Sequence, residues 1–190
     1  MASRVGLGVE LAERYPHELS GGQAQRVAIA RSLILKPGVL ICDEAVAALD
    51  GTVQYEILKL LRNEQRHSGL SVIFITHDLA VVRQISHRVL VMYMGRVCEI
   101  ATNDSLFRRP RHPYSKALLK SVPVPDPDAK KAEVPLAGEV ASILAPPAGC
   151  PFHPRCQMAI AICSKSLPAA VACDGSVVAC HRAAELDLSY

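Results

Sequence analysis

Apolar residues recur at helical spacing over 23–35, where Val27, Ala30, Leu33 and Ile34 share a side and Pro37-Gly38 closes the run. The uninterrupted apolar stretch 39–42 that follows is too short for a helix and reads as a strand. A second helical pattern over 53–66 groups Val53, Ile57, Leu60 and Leu61 and stops at Ser68-Gly69. Segment 71–76 is strand-like again and leads to His77, after which Asp78 is placed to cap a third helix with Leu79, Val82 and Ile85 inward. Segments 88–93 and 96–100 flank Met94-Gly95 as a hairpin. Helices and strands in alternation predict an α/β domain completed near residue 101. The runs 39–42 and 72–75 lack polar alternation, which predicts parallel strands covered on both faces.

Beyond that point the pattern weakens. Short helices are expected over 105–108 and 113–121, and then Pro123, Pro125, Pro127, Pro135, Pro146, Pro147, Pro151 and Pro154 crowd one segment. Proline removes backbone donors and fixes φ, so this stretch reads as a stiff connector leading to a small appendage. The expected division is a domain over 1–102, a helical and Pro-rich connector over 103–147, and a Cys-rich module over 148–190.

Half of the 190 residues are hydrophobic, enough for a core. The net charge of +3 is too small and too dispersed to argue for a nucleic-acid partner, and Arg108, Arg109 and Arg111 read as a solvated cluster. No stretch reaches the ~18 apolar residues that span a bilayer, and no signal-peptide pattern opens the chain, so a cytoplasmic location is expected. Seven cysteines in a reducing compartment are poor disulfide candidates, which favours a metal site for any clustered subset.

Four segments carry candidate chemistry. Ser20-Gly21-Gly22-Gln23 places a Ser-Gly-Gly turn against a helix start, which is either an anion-binding arrangement or an ordinary N-cap. Asp43 and Glu44 end a strand, where α/β proteins present ligand-binding groups; the alternative is a solvated acidic turn. His77 follows the next strand and is either a satisfied turn residue or a catalytic group. Cys150, Cys156, Cys163 and Cys180 form a thiol constellation in the proline-rich end, with His153, His181 and Cys173 nearby. Iron–sulfur cluster, zinc and free thiols all fit those residue types. Cys42 and Cys98 lie in strands and read as buried packing residues.

The order Glu18 to Gln23, Val39 to Glu44, Leu49-Asp50 and Val72 to Asp78 resembles the ATP-binding subunit of an ABC transporter. The segment around Arg14 to His17, the run Val91 to Arg96 and the sequence His112-Pro113-Tyr114 resemble its oligopeptide/dipeptide importer branch. The resemblance implies a partial P-loop NTPase fold using ATP and Mg²⁺. It assigns Ser20, Gly21, Gly22 and Gln23 to the signature loop that completes a second subunit's nucleotide site. It places Asp43 at Mg²⁺, Glu44 at the attacking water, Asp50 in the loop crossing the dimer interface and His77 at the γ-phosphate. It also implies that Cys150, Cys156, Cys163 and Cys180 hold a 4Fe-4S cluster, with zinc as the alternative.

The implied partners are a second ATPase subunit and transmembrane permease subunits, with the protein peripheral on the inner membrane face and no nucleic acid involved. The sequence contains no Gly-Lys dipeptide and therefore no G-x-x-x-x-G-K-[ST] phosphate cradle. The expectation is a truncated, mis-started or frameshifted reading frame whose product is inactive alone and exposes strand surface. Two other readings remain: a catalytically silent subunit completing a partner's site, and an SMC-like or repair ATPase fragment. The His-Pro-Tyr segment and the cysteine module argue against the latter.

Overall fold

The computed structural model describes residues 2–47, 49–121, 142, 144–186 and 188. Ala48 and the connector prolines Pro123, Pro125, Pro127 and Pro135 lie outside them. The chain divides into two compact units, residues 1–85 and 86–190.

The first unit opens with 3-10 turns at Ala2–Val5, Val9–Glu13 and Pro16–Glu18. Then come α1 (Gly21–Leu33), β1 (Val39–Asp43), α2 (Gly51–Ser68), β2 (Ser71–Ile75) and α3 (Leu79–Ile85). Strands β1 and β2 are parallel, with Leu40 opposite Val72, Cys42 opposite Phe74 and Asp43 opposite Ile75. Val5, Ile29, Leu33, Leu40, Cys42, Ile57, Leu61, Val81 and Ile85 form the core with their buried neighbours. At ~25 cal/mol per Å² of apolar surface, each fully buried Leu or Ile contributes about 1.5–3 kcal/mol before the entropy of ordering is subtracted. Arg4 pairs with the buried Glu64, and Arg26 pairs with Glu56 while donating to the Val5 carbonyl. These contacts tie the opening turns to the helices.

Three sequence expectations change here. Helix α1 buries Ile29 and Leu33, whereas Val27 and Ile34 are exposed, because its inward face is set by what it packs against and not by its own periodicity. In α3 the buried positions are Val81 and Ile85, with Leu79 and Val82 only half-buried. The expectation of strands covered on both faces is also corrected. Leu40, Cys42, Val72 and Phe74 face the core, but Val39, Ile41, Ile73 and Ile75 on the other face are 48–64% exposed. Helices of this unit cover one side of the two-stranded sheet.

The second unit is built on an antiparallel sheet in the order β3-β4-β6-β5, from β3 (Arg88–Tyr93), β4 (Arg96–Thr102), β5 (Val171–Cys173) and β6 (Ser176–Val178). The β3–β4 hairpin turns at Met94-Gly95, both at positive φ, as the sequence predicts. The sequence expectation places this hairpin in the domain over 1–102; its strand β4 pairs with β6 of the Cys-rich region, Glu99 opposite Val178. Helices α4 (Asn103–Arg108) and α5 (Pro113–Lys120) follow the hairpin, capped by Thr102 and His112. The core gathers Val91, Tyr93, Cys98, Ala101, Leu106 and Phe152. Tyr93 and Tyr114 pack on Phe152 with ring centroids 5.3 and 5.2 Å away. Aromatic contacts of this kind add ~0.5–1.5 kcal/mol beyond the burial itself.

Candidate functional site

Ser20 is the N-cap of α1: its Oγ accepts the Gln23 amide at 3.2 Å, and Gln23 Oε1 accepts the Ser20 amide at 2.9 Å. This reciprocal box satisfies two otherwise unpaired donors and leaves the turn exposed. Gly21 and Gly22 form the first helical turn. A Cβ on Gly22 would lie 2.5 Å from Val53 Cγ1, so this glycine lets the start of α1 approach the start of α2. Gly21 meets only Leu49 Cδ2, at 3.7 Å. Asp50 caps α2, its Oδ1 accepting from Thr52 and Val53 at 3.1 and 3.0 Å. Two helix N-termini, one capped by Ser20 and one by Asp50, therefore converge through Gly22 and Val53.

Glu44 and His77 come together at the ends of the two parallel strands. Asp43 is the last residue of β1, and Glu44, at φ +50, donates its amide to the Ile75 carbonyl at 3.0 Å. A non-glycine residue in the left-handed region is uncommon, and here it turns the carboxylate toward the neighbouring strand. His77 Nδ1 lies 3.0 Å from Glu44 Oε1. The Glu44 hydrogen bond and charge raise the His77 pKa above its ordinary value. Asp78 caps α3 as expected, accepting from Ala80 and Val81, and Gln54 donates to its other oxygen. Both members of the Glu44–His77 pair are open to solvent, so the pair can meet a ligand.

In the second unit Cys150, Cys156, Cys163 and Cys180 line one small, largely apolar cavity together with Phe152, Met158, His112, His153 and His181. Tight turns build it. Cys150 donates its amide to the Cys163 carbonyl at 2.8 Å, and His153 and Cys156 continue the turn. Gly149 sits at φ +71, and a Cβ there would strike Cys163 O at 2.3 Å, so this approach requires glycine.

Burial raises the thiol pKa of Cys156 to about 11 and pushes Cys150 and Cys180 upward. Backbone amides oppose the shift: Phe152 and His153 at Cys150, Met158 at Cys156, Arg182 at Cys180. Such N–H donors stabilise a thiolate and suit a soft cation. Among the described residues no three His, Cys, Asp or Glu side chains are already drawn into a metal-ligand set. Cys173 is absent from the cavity lining; its thiol faces the Ala183 carbonyl, because β5 directs it elsewhere. Cys42 and Cys98 are buried in the two cores, with pKa values raised by burial to about 11 and 12.

Sequence reasoning missed a buried polar network beside this cavity. Glu99 is fully buried, and its two oxygens accept the amides of Arg111 and His112, each at 2.9 Å. Contrary to the solvated cluster expected from sequence, Arg111 is buried, pairs with Asp174 and donates to the Leu186 carbonyl. The only local signal was the charged Glu99 inside the run Val97 to Ala101, whose other members are apolar. Burial lowers the His112 pKa to about 4, with the Ala179 carbonyl acting weakly in the other direction.

Residues 1–47 match the family described as ABC transporter. Residues 98–163 match the family described as Oligopeptide/dipeptide transporter, C-terminal region, so the chain is similar to ABC transporter ATP-binding proteins near both of its ends. It is 54% identical over 94% of its length to a probable peptide ABC transporter ATP-binding protein of Sinorhizobium fredii, covering 51% of that protein. It is 52% identical over 88% of its length to the oligopeptide transport ATP-binding protein OppF of Escherichia coli, again covering 51%. In structure it resembles cbiO1 of Clostridium perfringens, part of an ABC transporter complex, with TM-score 0.52 and 40% identity over 56% of this chain and 42% of that one. The chain thus spans about half the length of the relatives it matches. Among the described residues no helix is long and apolar enough to cross a membrane.

Proposed function

We propose that this chain supplies the signature loop and the hydrolytic carboxylate of an ATPase subunit in a peptide-type ABC importer. The observation that carries the reading is the Glu44–His77 pair, held at 3.0 Å at the ends of adjacent parallel strands. Glu44 accepts a proton from the attacking water. His77, its Nδ1 directed at Glu44 and its protonated form favoured by that carboxylate, holds the base in line and offers its other N–H to a phosphoryl oxygen. Asp43 provides a carboxylate beside them that suits Mg²⁺, whose role is to neutralise charge on the transferred phosphate. The Ser20 to Gln23 turn faces a nucleotide held by a second subunit. Membrane attachment on the inner face comes through permease subunits.

The four-thiol cavity fits a soft metal centre. Its donors are all sulfur, three of the four receive backbone amides, and its walls are apolar. Cys150, Cys156, Cys163 and Cys180 would hold an iron–sulfur cluster, or zinc in its place, and the bound centre would order a module with little core of its own.

The 190-residue sequence contains no G-x-x-x-x-G-K-[ST] motif, and no ATP turnover is expected from the unfused chain. Joining it to the preceding half of Escherichia coli OppF is expected to give a magnesium-dependent ATPase that Glu44→Gln abolishes. Turnover unaffected by Glu44→Gln in that fusion would refute the assignment, as would such turnover by the unfused chain.

A further inference from the structure

Three histidines line the thiol cavity beside its cysteines, and hydrogen bonding fixes which of them keeps a free nitrogen lone pair. His153 Nδ1 lies 2.9 Å from the Cys150 carbonyl. A carbonyl can only accept, so the proton of the neutral ring resides on Nδ1 and the lone pair on Nε2. Among the described residues no hydrogen bond reaches that Nε2. His112 is the opposite case. Its Nδ1 lies 3.0 Å from the Tyr114 amide, which can only donate, so its Nε2 carries the proton and has no lone pair to give. His181 gives Nε2 to the Ser166 carbonyl at 2.9 Å, which leaves its Nδ1 free.

His153 is also built into the turn that carries two of the thiols. The Cys150 carbonyl accepts both the amide and the ring N–H of His153, at 3.0 and 2.9 Å, and the His153 carbonyl accepts the Cys156 amide at 3.2 Å. Cys150, His153 and Cys156 thus stand at the interval at which tight turns present paired zinc ligands, with two residues between neighbours. The same turn is joined to Cys163 through the Cys150 amide. A hydrogen bond from Nδ1 to a backbone carbonyl is the arrangement that orients a ligating imidazole and raises its basicity. A turn cap would account for Nδ1 but leave Nε2 unpaired in a largely apolar cavity.

We propose that His153 is a metal ligand: its Nε2 joins three of the cavity's thiolates around one four-coordinate cation, and this mixed nitrogen and sulfur set selects zinc over a cluster held by sulfur alone. The proposal rests on the metal-binding reading of the module. It adds a donor to the four cysteines, leaves one thiol unbound and decides the occupant.

In the test, the full chain is kept reduced without oxygen and loaded with equimolar Zn²⁺. Its ligands are counted by zinc-edge X-ray absorption, where Zn–N at about 2.0–2.1 Å separates from Zn–S at about 2.3 Å. The comparison is with His153→Phe, which keeps a ring and removes the nitrogen donor, His153→Cys, which replaces it with sulfur, and His181→Gln, which removes the other free imidazole nitrogen. Zinc affinity is measured by competition with a chelator, and far-UV circular dichroism reports folding. Metal analysis identifies what the chain carries when isolated anaerobically.

The expected result is a single nitrogen among sulfurs in the unaltered chain and in His181→Gln, and sulfur alone in both His153 variants. His153→Phe should also lose zinc affinity by at least ~10-fold, the smallest cost typical of even a supporting partner of a ligand. An all-sulfur shell in the zinc-loaded unaltered chain would overturn the proposal and leave the metal reading standing. Iron with sulfide in the isolated chain would overturn it as well. So would a nitrogen that persists in the folded His153 variants or disappears in His181→Gln. An unaltered chain that binds no zinc refutes this ligand and the metal reading together. If His153→Phe unfolds, His153→Cys decides by the same count. If both unfold, ¹⁵N NMR of the unaltered chain decides: a zinc-induced shift of His153 Nε2 supports the ligand role, and an unmoved resonance refutes it.

Discussion

Replacing Glu99 is expected to destabilise the second unit by several kcal/mol. Its carboxylate is fully buried and accepts two backbone amides, from Arg111 and His112, each at 2.9 Å. Glu99→Ala leaves both donors buried and unpaired at ~1–3 kcal/mol each, about 2–6 kcal/mol in total. A domain is stable by only ~5–15 kcal/mol, so the change is large. Glu99→Gln keeps one carbonyl oxygen and turns an N–H₂ toward the other amide, so about half the loss is expected. The chain has no Trp, and Tyr93 and Tyr114 report on this core through their packing on Phe152. Urea unfolding followed by near-UV circular dichroism measures the loss, and hydrogen exchange at the Arg111 and His112 amides locates it. A Glu99→Ala protein with an unchanged midpoint and unchanged protection at those amides would refute the argument.

Gly149→Ala places a methyl group 2.3 Å from the Cys163 carbonyl at φ +71, so strain of ~1–2 kcal/mol adds to a backbone clash. Faster alkylation of Cys150 and Cys163 checks it, and wild-type labelling rates count against it. The hydrogen bond and charge of Glu44 raise the folded pKa of His77 above the unfolded value of about 6.5. The pair's stabilisation is therefore full below that unfolded value and is lost as pH rises through the raised folded pKa. An NMR titration should show the His77 pKa falling in Glu44→Gln; no change would break the link between them. Exposed Val39, Ile41, Ile73 and Ile75 form an apolar sheet face, so Ile41→Thr with Ile73→Thr should reduce self-association of the chain in light scattering; an unchanged profile would exclude this face as its cause.

Local chemistry was legible along the chain wherever its cause is local. The helix expected over 23–35 and found at Gly21–Leu33, and the caps at Ser20 and Asp78, depend on side chains bonding to amides two or three residues away, and the hairpin at Met94-Gly95 depends on two adjacent residues at positive φ. The candidate residues Glu44 and His77 were visible at strand ends, and the four cysteines stood out by type. Their juxtapositions were not legible, because each depends on pairings between distant segments. Glu44 meets His77 only through the register that sets Asp43 against Ile75. Gly22 has a packing role only because α2 brings Val53 to it.

The largest revisions share the same cause. Arg111 looked solvated in a basic cluster, but the tertiary fold supplies Asp174 and the Leu186 carbonyl and encloses it. The hairpin looked like the close of the first domain, but Glu99 and Ile100 pair with Val178 and Val177 across the whole connector. Sequence alone determined which residues have the chemistry and where helices and turns begin, since those depend on neighbours a few positions away. The tertiary structure decided which polar groups are buried, which apolar faces are covered and which thiols share a cavity. Burial and electrostatics depend on atoms brought close in space, and separation along the chain does not specify that closeness.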